Sequence, residues 1–307
     1  MKKTVVDSNR RAVEKAMRDL LLVAGVDADS RWLELEGRRF HYLEVGRGPA
    51  VILIHGAGGG AANWYGILGR LSEGRRVLVP DLPGFGLSGP VEARRPLGMQ
   101  VADILDAWLQ RLGIEKCGVA GTSFGGLVAL RMAQRRESRV ERLALIDSAG
   151  LGREMPMAVR AIGLRVLGPL ILRPSRRGTR FALRRFLTAG QPLDPAVEPA
   201  LVEYLHRSAV ASDPSILARA HRVFAGIRGQ REWLSDTELV SLCQPTLVVW
   251  GRRDAFFPAA HAERASRLIP QVRVRWIEAA GHSPNWEAPG EVAEALDDFF
   301  PPFRDES

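Results

Sequence analysis

Cysteine is almost missing from this chain. Cys117 and Cys243 are the only two in 307 residues, too few for a disulfide framework. No C-x-x-C, H-E-x-x-H or Walker lysine occurs, so no metal ion, cofactor or nucleoside triphosphate is expected. Long apolar runs are also lacking. Asp7, Arg10, Arg11 and Glu14 break up the stretch after Lys2-Lys3, and Leu20 to Val23 is far too short to span a bilayer. Aromatic residues make up 7% of the chain and do not interleave with basic ones, which argues against nucleic acid as a partner. These absences read as a cytoplasmic protein with reduced thiols, lacking a signal peptide or membrane span.

What is present suffices for one large core: 46% of residues are hydrophobic. Strand-like and helix-like segments alternate from about Val51 to Ala149 and again from Pro245 to Phe300. That alternation is the mark of βαβ units and an α/β fold with a mostly parallel sheet flanked by helices. Trp32 to Glu36 and Arg39 to Val45 read as an antiparallel hairpin at its edge. Residues 1–30 form a helical extension, amphipathic from Arg11 to Val23, which packs on the domain or reaches a partner. Residues 31–150 and 241–307 make the α/β core.

Between them, residues 151–240 change pattern. Helices are broken by Gly168-Pro169, Pro174, Gly190, Pro192, Pro195 and Pro214, with no strand pair expected. This reads as an inserted helical cap that excludes water and shapes a pocket. Its apolar residues Leu164, Val166, Leu167, Leu170, Ile171 and Leu172 are expected mainly to pack on the body. The cap also carries most of the net charge of +8, with fourteen arginines, no lysine and eight acids. A solvated basic face is the favoured reading of pairs such as Arg176-Arg177 and Arg184-Arg185. The competing one is peripheral contact with anionic lipid surfaces, or attraction of acidic substrates.

The chemistry centres on Gly121-Thr122-Ser123-Phe124-Gly125, directly after the apolar run Cys117 to Ala120 and before the helix-like Leu127 to Ala133. A G-x-S-x-G pentad at a strand end describes a turn so tight that a Cβ two residues either side of the serine would clash. The serine itself is strained and its hydroxyl stands above the sheet. A hydroxyl is a weak nucleophile and needs a base, which in turn needs an orienting carboxylate. Of six histidines, His41 reads as a strand surface residue, and His206, His221 and His261 fall in helical patterns. His55 ends the strand Val51 to Ile54 and supports a glycine-rich loop. His282 differs: it lies on the Gly/Pro-flanked loop after the strand Val272 to Ile277, where such a sheet keeps its active residues. Asp254, on the exit loop of Leu247 to Trp250, gives the order Ser, Asp, His. Asp147, at the end of Leu143 to Ile146, is the competing acid.

An oxyanion needs preorganised donors. One is expected from the backbone N–H of Phe124 at the start of the helix behind the serine. The other is expected from the loop His55 to Gly60. That loop also satisfies the dinucleotide pattern G-x-G-x-x-A through Gly56 to Ala61. The Ser-Asp-His set argues against a dehydrogenase, and Asp81 lies beyond the usual spacing for a ribose-binding acid.

Taken together, His55 to Gly58, Asp81-Leu82-Pro83-Gly84-Phe85-Gly86-Leu87-Ser88, Gly121 to Gly126, Trp250 to Asp254 and Gly281 to Pro284 resemble the α/β-hydrolase superfamily. The likeness is to its single-domain esterase, lipase and carbon–carbon hydrolase branch. It implies triad roles for Ser123, Asp254 and His282, with the amides of Ala57 and Phe124 as the oxyanion hole. A serine nucleophile disfavours the epoxide hydrolases and haloalkane dehalogenases, which use aspartate. Gly58 to Trp64 and Trp286-Glu287 are similar to the meta-cleavage carbon–carbon hydrolases, but Thr122 and Ser283 depart from their usual Asn and Trp. Hydrolysis of a small-molecule carboxylic ester therefore leads. A carbon–carbon hydrolase, or a ligand-binding protein that turns over slowly on the same scaffold, are the alternatives.

Overall fold

A computed structural model describes the chain except residues 1, 36, 91, 93–95, 163–173, 213–224, 227–228 and 303–307. The strands are β1 (Asp29–Leu35), β2 (Arg38–Val45), β3 (Ala50–Ile54), β4 (Arg76–Pro80), β5 (Cys117–Thr122), β6 (Val140–Ile146), β7 (Ala225–Gly226), β8 (Gly229–Gln230), β9 (Thr246–Gly251) and β10 (Val272–Ile277). Eight of them form one sheet in the order β1-β2-β4-β3-β5-β6-β9-β10. The β1–β2 and β2–β4 pairs are antiparallel, and every pairing from β4 across to β10 is parallel. This is an α/β-hydrolase architecture.

Strands buried on both faces send alternate residues into two cores. On one face Ile52, Ile54, Val119, Leu143, Leu145, Val248 and Trp250 meet Val101, Leu105 and Trp108 of the helix Leu97–Arg111, and Leu127 and Leu130 of the helix Phe124–Arg135. On the other, Val51, Leu53, Ala120, Ala144, Ile146, Leu247 and Val249 meet Ile67 and Leu71 of the helix Tyr65–Leu71, and Leu296 and Phe299 of the helix Pro289–Phe299. A single-residue slip in any of these strands would exchange the two sets, so burial fixes the register.

The chain leaves β3 toward β4 on one side and returns to β5 on the other, and Ile54 then pairs with Gly121. At such a reversal the loops beyond the strand ends diverge and leave a crevice. The loops after β3 and β5 border it.

The N-terminal helix Lys2–Val23 packs against the helix Glu198–Ala211. Val13, Ala16, Met17 and Leu20 are buried there. Arg10 donates to the carbonyl of Leu87, and its guanidinium and that of Arg39 lie 4.7 and 4.1 Å from the ring centre of Trp32. Among the described residues, no helix is long and apolar enough to cross a membrane.

Between β6 and β9 the described chain is mostly helical, with Met157–Ile162, Arg176–Ala182, a π-helical turn at Leu183–Leu187, Glu198–Ala211 and Asp236–Val240. One expectation fails here. A strand pair does occur, the short antiparallel ribbon of β7 and β8. Two-residue strands carry no alternation, so the sequence has no signal for them; Gln230 is held instead by its N–H to Arg153 O and its side chain to Gly150 N. Leu164, Val166, Leu167, Leu170, Ile171 and Leu172 lie outside the described residues. Several arginines of this segment are tied to its acids. Arg176 and Arg207 bond Glu203, Arg184 bonds Glu198, and the Arg176 bond leads in pulling the Glu203 carboxyl down to about 2.

Candidate active site

Ser123 is the single residue between β5 and the helix Phe124–Arg135. Its φ of 53° is left-handed, uncommon for a side-chain-bearing residue. A Cβ on Gly121 would fall within 3 Å of the Gly125 carbonyl, and one on Gly125 would fall within 3 Å of the carbonyls of Ile54 and His55. The strained serine is strapped to its neighbour β6. Its N–H donates to Ile146 O, and its carbonyl accepts from Ala149 N at 2.9 Å and Gly126 N at 3.0 Å.

His282 and Asp254 reach the serine from the loops after β10 and β9. The Ser123 hydroxyl lies 3.0 Å from His282 Nε2, and His282 Nδ1 lies 2.9 Å from Asp254 Oδ2. An aspartate on Nδ1 fixes that nitrogen as the donor, so Nε2 is free to accept the hydroxyl proton. The Asp254 side chain is 1% exposed and His282 5%. The other Asp254 oxygen accepts the amides of Phe256 at 2.6 Å and Phe257 at 3.1 Å. The carboxylate of Asp254 thus accepts three hydrogen bonds, one from the imidazole and two from loop amides.

Asp147 lies beside this array without completing it. Fully buried at the end of β6, it accepts the Gly251 amide with both oxygens, at 3.1 and 3.2 Å. One donor atom from each of Asp147, Asp254 and His282 falls within 4.8 Å of the others, compact enough for a cation. The hydrogen bonds to Ser123, Gly251, Phe256 and Phe257 engage those groups.

The two amides expected to form an oxyanion hole lie on the segments that follow β3 and β5. Phe124 is the first residue of its helix, so its N–H belongs to the end where the helix dipole favours negative charge. Ala57 stands in the turn after β3, next to Gly56, where a Cβ would come within 3.1 Å of the Ser123 Cβ. His55 is buried under this loop. Its Nδ1 donates to Gly56 O and its Nε2 accepts from Leu82 N, and burial pushes its pKa down. Both nitrogens are committed to the backbone.

The segment between β6 and β9 meets the loops after β3 and β10. Tyr204 of the helix Glu198–Ala211 crowds Gly60, leaving no space for a Cβ there. Glu287 accepts from Ala189 N of that segment at 2.6 Å and from Gly281 N beside the histidine at 2.7 Å. Burial raises the pKa of Glu287, and the charge of Asp254 adds to the rise. The carbonyl of Asn63 accepts from Asn285 and from the indole of Trp286, joining the β3 loop to the segment after His282.

His41 is fully buried, not the strand surface residue that its place in β2 suggests. Its Nδ1 bonds Asp81 Oδ2 at 2.7 Å and its Nε2 lies 2.9 Å from the Ser30 hydroxyl. Alternation within β2 cannot reveal an acid forty residues away that folds back over the strand. Asp81 is a structural hub, accepting also from Ala61 N and Leu87 N. Burial works to raise its pKa, but His41 leads the groups that hold it below the usual range. His206 and His261 lie in helices, His261 buried with Nε2 on Glu154 at 3.0 Å. His221 lies outside the described residues. Sequence reasoning missed Phe256 stacked on His282, and gave Glu287 no part in the site. Neither has a local signal: one depends on loop shape, the other on a segment about a hundred residues earlier.

Residues 49–289 match the sequence model of the alpha/beta hydrolase fold. The chain is 30% identical over 263 residues to a 2-hydroxy-6-oxo-6-phenylhexa-2,4-dienoate hydrolase of Comamonas testosteroni, covering 84% of this chain and 90% of that one. Among solved structures, it is similar to a membrane phospholipase A described as a bacterial virulence factor, with a TM-score of 0.77, 30% identity and coverage of 96% and 91%. It also resembles a meta-cleavage product hydrolase of Pseudomonas fluorescens, with a TM-score of 0.74, 26% identity and coverage of 88% and 96%. The match over residues 49–289, on a sheet whose crevice holds Ser123, His282 and Asp254, places the chain in the α/β-hydrolase family.

Proposed function

We propose that this protein hydrolyses carboxylic esters through an acyl-enzyme on Ser123. The observation that carries the reading is the 3.0 Å contact between the Ser123 hydroxyl and His282 Nε2, with Asp254 on the opposite nitrogen. His282 takes the hydroxyl proton as the oxygen attacks the ester carbonyl, and Asp254 stabilises the imidazolium. The amides of Ala57 and Phe124 receive the oxyanion, worth about 3 kcal/mol per donor. The alcohol leaves with the proton from His282, and water then attacks the acyl group with the same base. Similarity to a phospholipase over 96% of the chain supports an ester as the substrate.

Cleavage of a carbon–carbon bond next to a ketone is the second reading, favoured by the 30% identity to a dienoate hydrolase. Multiple-turnover kinetics on p-nitrophenyl esters of graded acyl length, set against a 2-hydroxy-6-oxodienoate, separate the two. Ester turnover that disappears in Ser123→Ala supports the proposal. Turnover of the dienoate alone replaces it with the second reading. A single burst followed by silence on both substrates indicates a slow ligand-binding protein.

A further inference from the structure

Asp147 is a buried carboxyl group that the relay leaves unused. It has no exposure to solvent, and its backbone is held at φ 41°, left-handed like that of Ser123. Such strain in a residue with a Cβ persists only where its surroundings enforce it, and it clusters at working sites. Here the N–H of Asp147 is tied to Val249 O, and its carboxyl group is turned to the Gly251 amide and to Asp254.

Two carboxylates this close, both closed off from water, cannot both carry charge without a counter-ion. The titratable groups facing them are His282, which as the base of the proposed relay can take a proton only from its uncharged form, Glu287, itself an acid, and His261, whose pKa burial pushes down. One proton must therefore reside on the pair. The donor count decides where. Asp254 receives the imidazole N–H and two loop amides, and Asp147 receives one amide shared between its oxygens. The charge belongs on Asp254 and the proton on Asp147.

We propose that Asp147 is a positioning residue for Asp254: it keeps a proton and donates it in a hydrogen bond to the carboxylate that orients His282. The inference rests on the relay of the proposed function. Burial first, and the charge of Asp254 second, push the Asp147 pKa well above the ordinary carboxylate range, in keeping with the geometry. The effect on chemistry is specific. With Asp147 neutral, the imidazolium formed during attack faces the single charge of Asp254 within the pair. A second carboxylate there would hold the proton too firmly on His282 and slow its delivery to the leaving alcohol.

Infrared spectroscopy of the full chain carrying carboxyl-¹³C aspartate tests this directly at about pH 7.5, far above the usual aspartate pKa. The expected result is a neutral-carboxyl carbonyl band that moves with the aspartate label and vanishes in Asp147→Asn. No such band in the wild-type protein, or one that survives Asp147→Asn, overturns the proposal. Titration of His282 by ¹⁵N-histidine NMR provides a second reading, because Asn replaces a neutral donor by a neutral donor. A His282 pKa in Asp147→Asn within about 0.3 unit of wild type supports the proposal, and a fall of about one unit shows that a charge was removed. In ester kinetics, Asp147→Leu is expected to lose about a hundredfold in kcat with little change in KM, and Asp147→Asn to recover to within about fivefold of wild type. Equal losses in the two variants count against it. Should no ester be turned over, the proposed function fails, while the spectra still decide the state of Asp147.

Discussion

Phe256 lies against the imidazole of His282, ring centre to ring centre 4.4 Å and 26° from parallel. Phe257 meets the same imidazole edge-on at 5.2 Å. Both amides bond Asp254 Oδ1, so one stretch of the β9 loop grips Asp254 with its backbone and the His282 ring with its side chains. The histidine is thereby held in one orientation before any substrate arrives.

Truncating that contact should loosen the base without disturbing the fold. Phe256→Ala is expected to lower kcat about tenfold, the kinetic equivalent of one aromatic stacking contact. Stopped-flow or steady-state assay with an activated ester measures it. An unchanged kcat would mean that Asp254 alone orients the imidazole.

Asp254→Asn retains the shape but cannot hold the imidazole in the required tautomer. A fall in kcat on the order of 10⁴ is expected, against about fivefold for Asp147→Asn. Circular dichroism of both variants guards against misfolding as the cause. The reverse ranking would move the acid role to β6.

Much of this site is legible in the chain because its chemistry sits at strand ends and is flagged by local constraints. Gly121 and Gly125 announce the elbow, since no other residue fits between the β5 backbone and the helix. The apolar runs of β3, β5, β6 and β9 announce a parallel sheet buried on both faces, and the Gly/Pro flanks of His282 announce a loop at its edge. What stays hidden is tertiary. His41 looks like an exposed strand residue until Asp81 is folded onto it. Nothing in the sequence around Glu287 says that its carboxylate will collect amides from Ala189 and Gly281. Nor does local pattern show that Asp147 and Asp254 end side by side, because that follows from β6 and β9 being neighbours in the sheet.

The elbow predicts a sharp contrast between two glycines. A methyl on Gly125 would meet the carbonyls of Ile54 and His55, neither of which can move without breaking β3, whereas Gly69 faces open space within a helix. Gly125→Ala should cost about 3 kcal/mol or more in urea unfolding. Gly69→Ala should add roughly 0.5 kcal/mol by restricting the unfolded chain and improving helix propensity. Comparable behaviour of the two variants would contradict the close approach seen at Ser123.

A proton held on Asp147 also makes the stability of the fold depend on pH. Its folded pKa is raised, chiefly by burial and then by the charge of Asp254. Above the unfolded value of about 4, the native state keeps a proton that the unfolded state has lost. Its contribution to stability is therefore complete at low pH and is lost as pH rises toward the folded pKa, at up to about 1.4 kcal/mol per pH unit. Glu287, raised by burial, acts in the same direction. His55 and His261, lowered by burial, act oppositely and add stability as pH rises through their range. Comparing wild type with Asp147→Asn at each pH cancels those other groups. Urea midpoints taken at intervals from about pH 5 to about pH 8 should show the variant gaining on wild type steadily as pH increases. A constant difference across that range would place the Asp147 pKa at its ordinary value, and both buried acids would then carry charge beside His282.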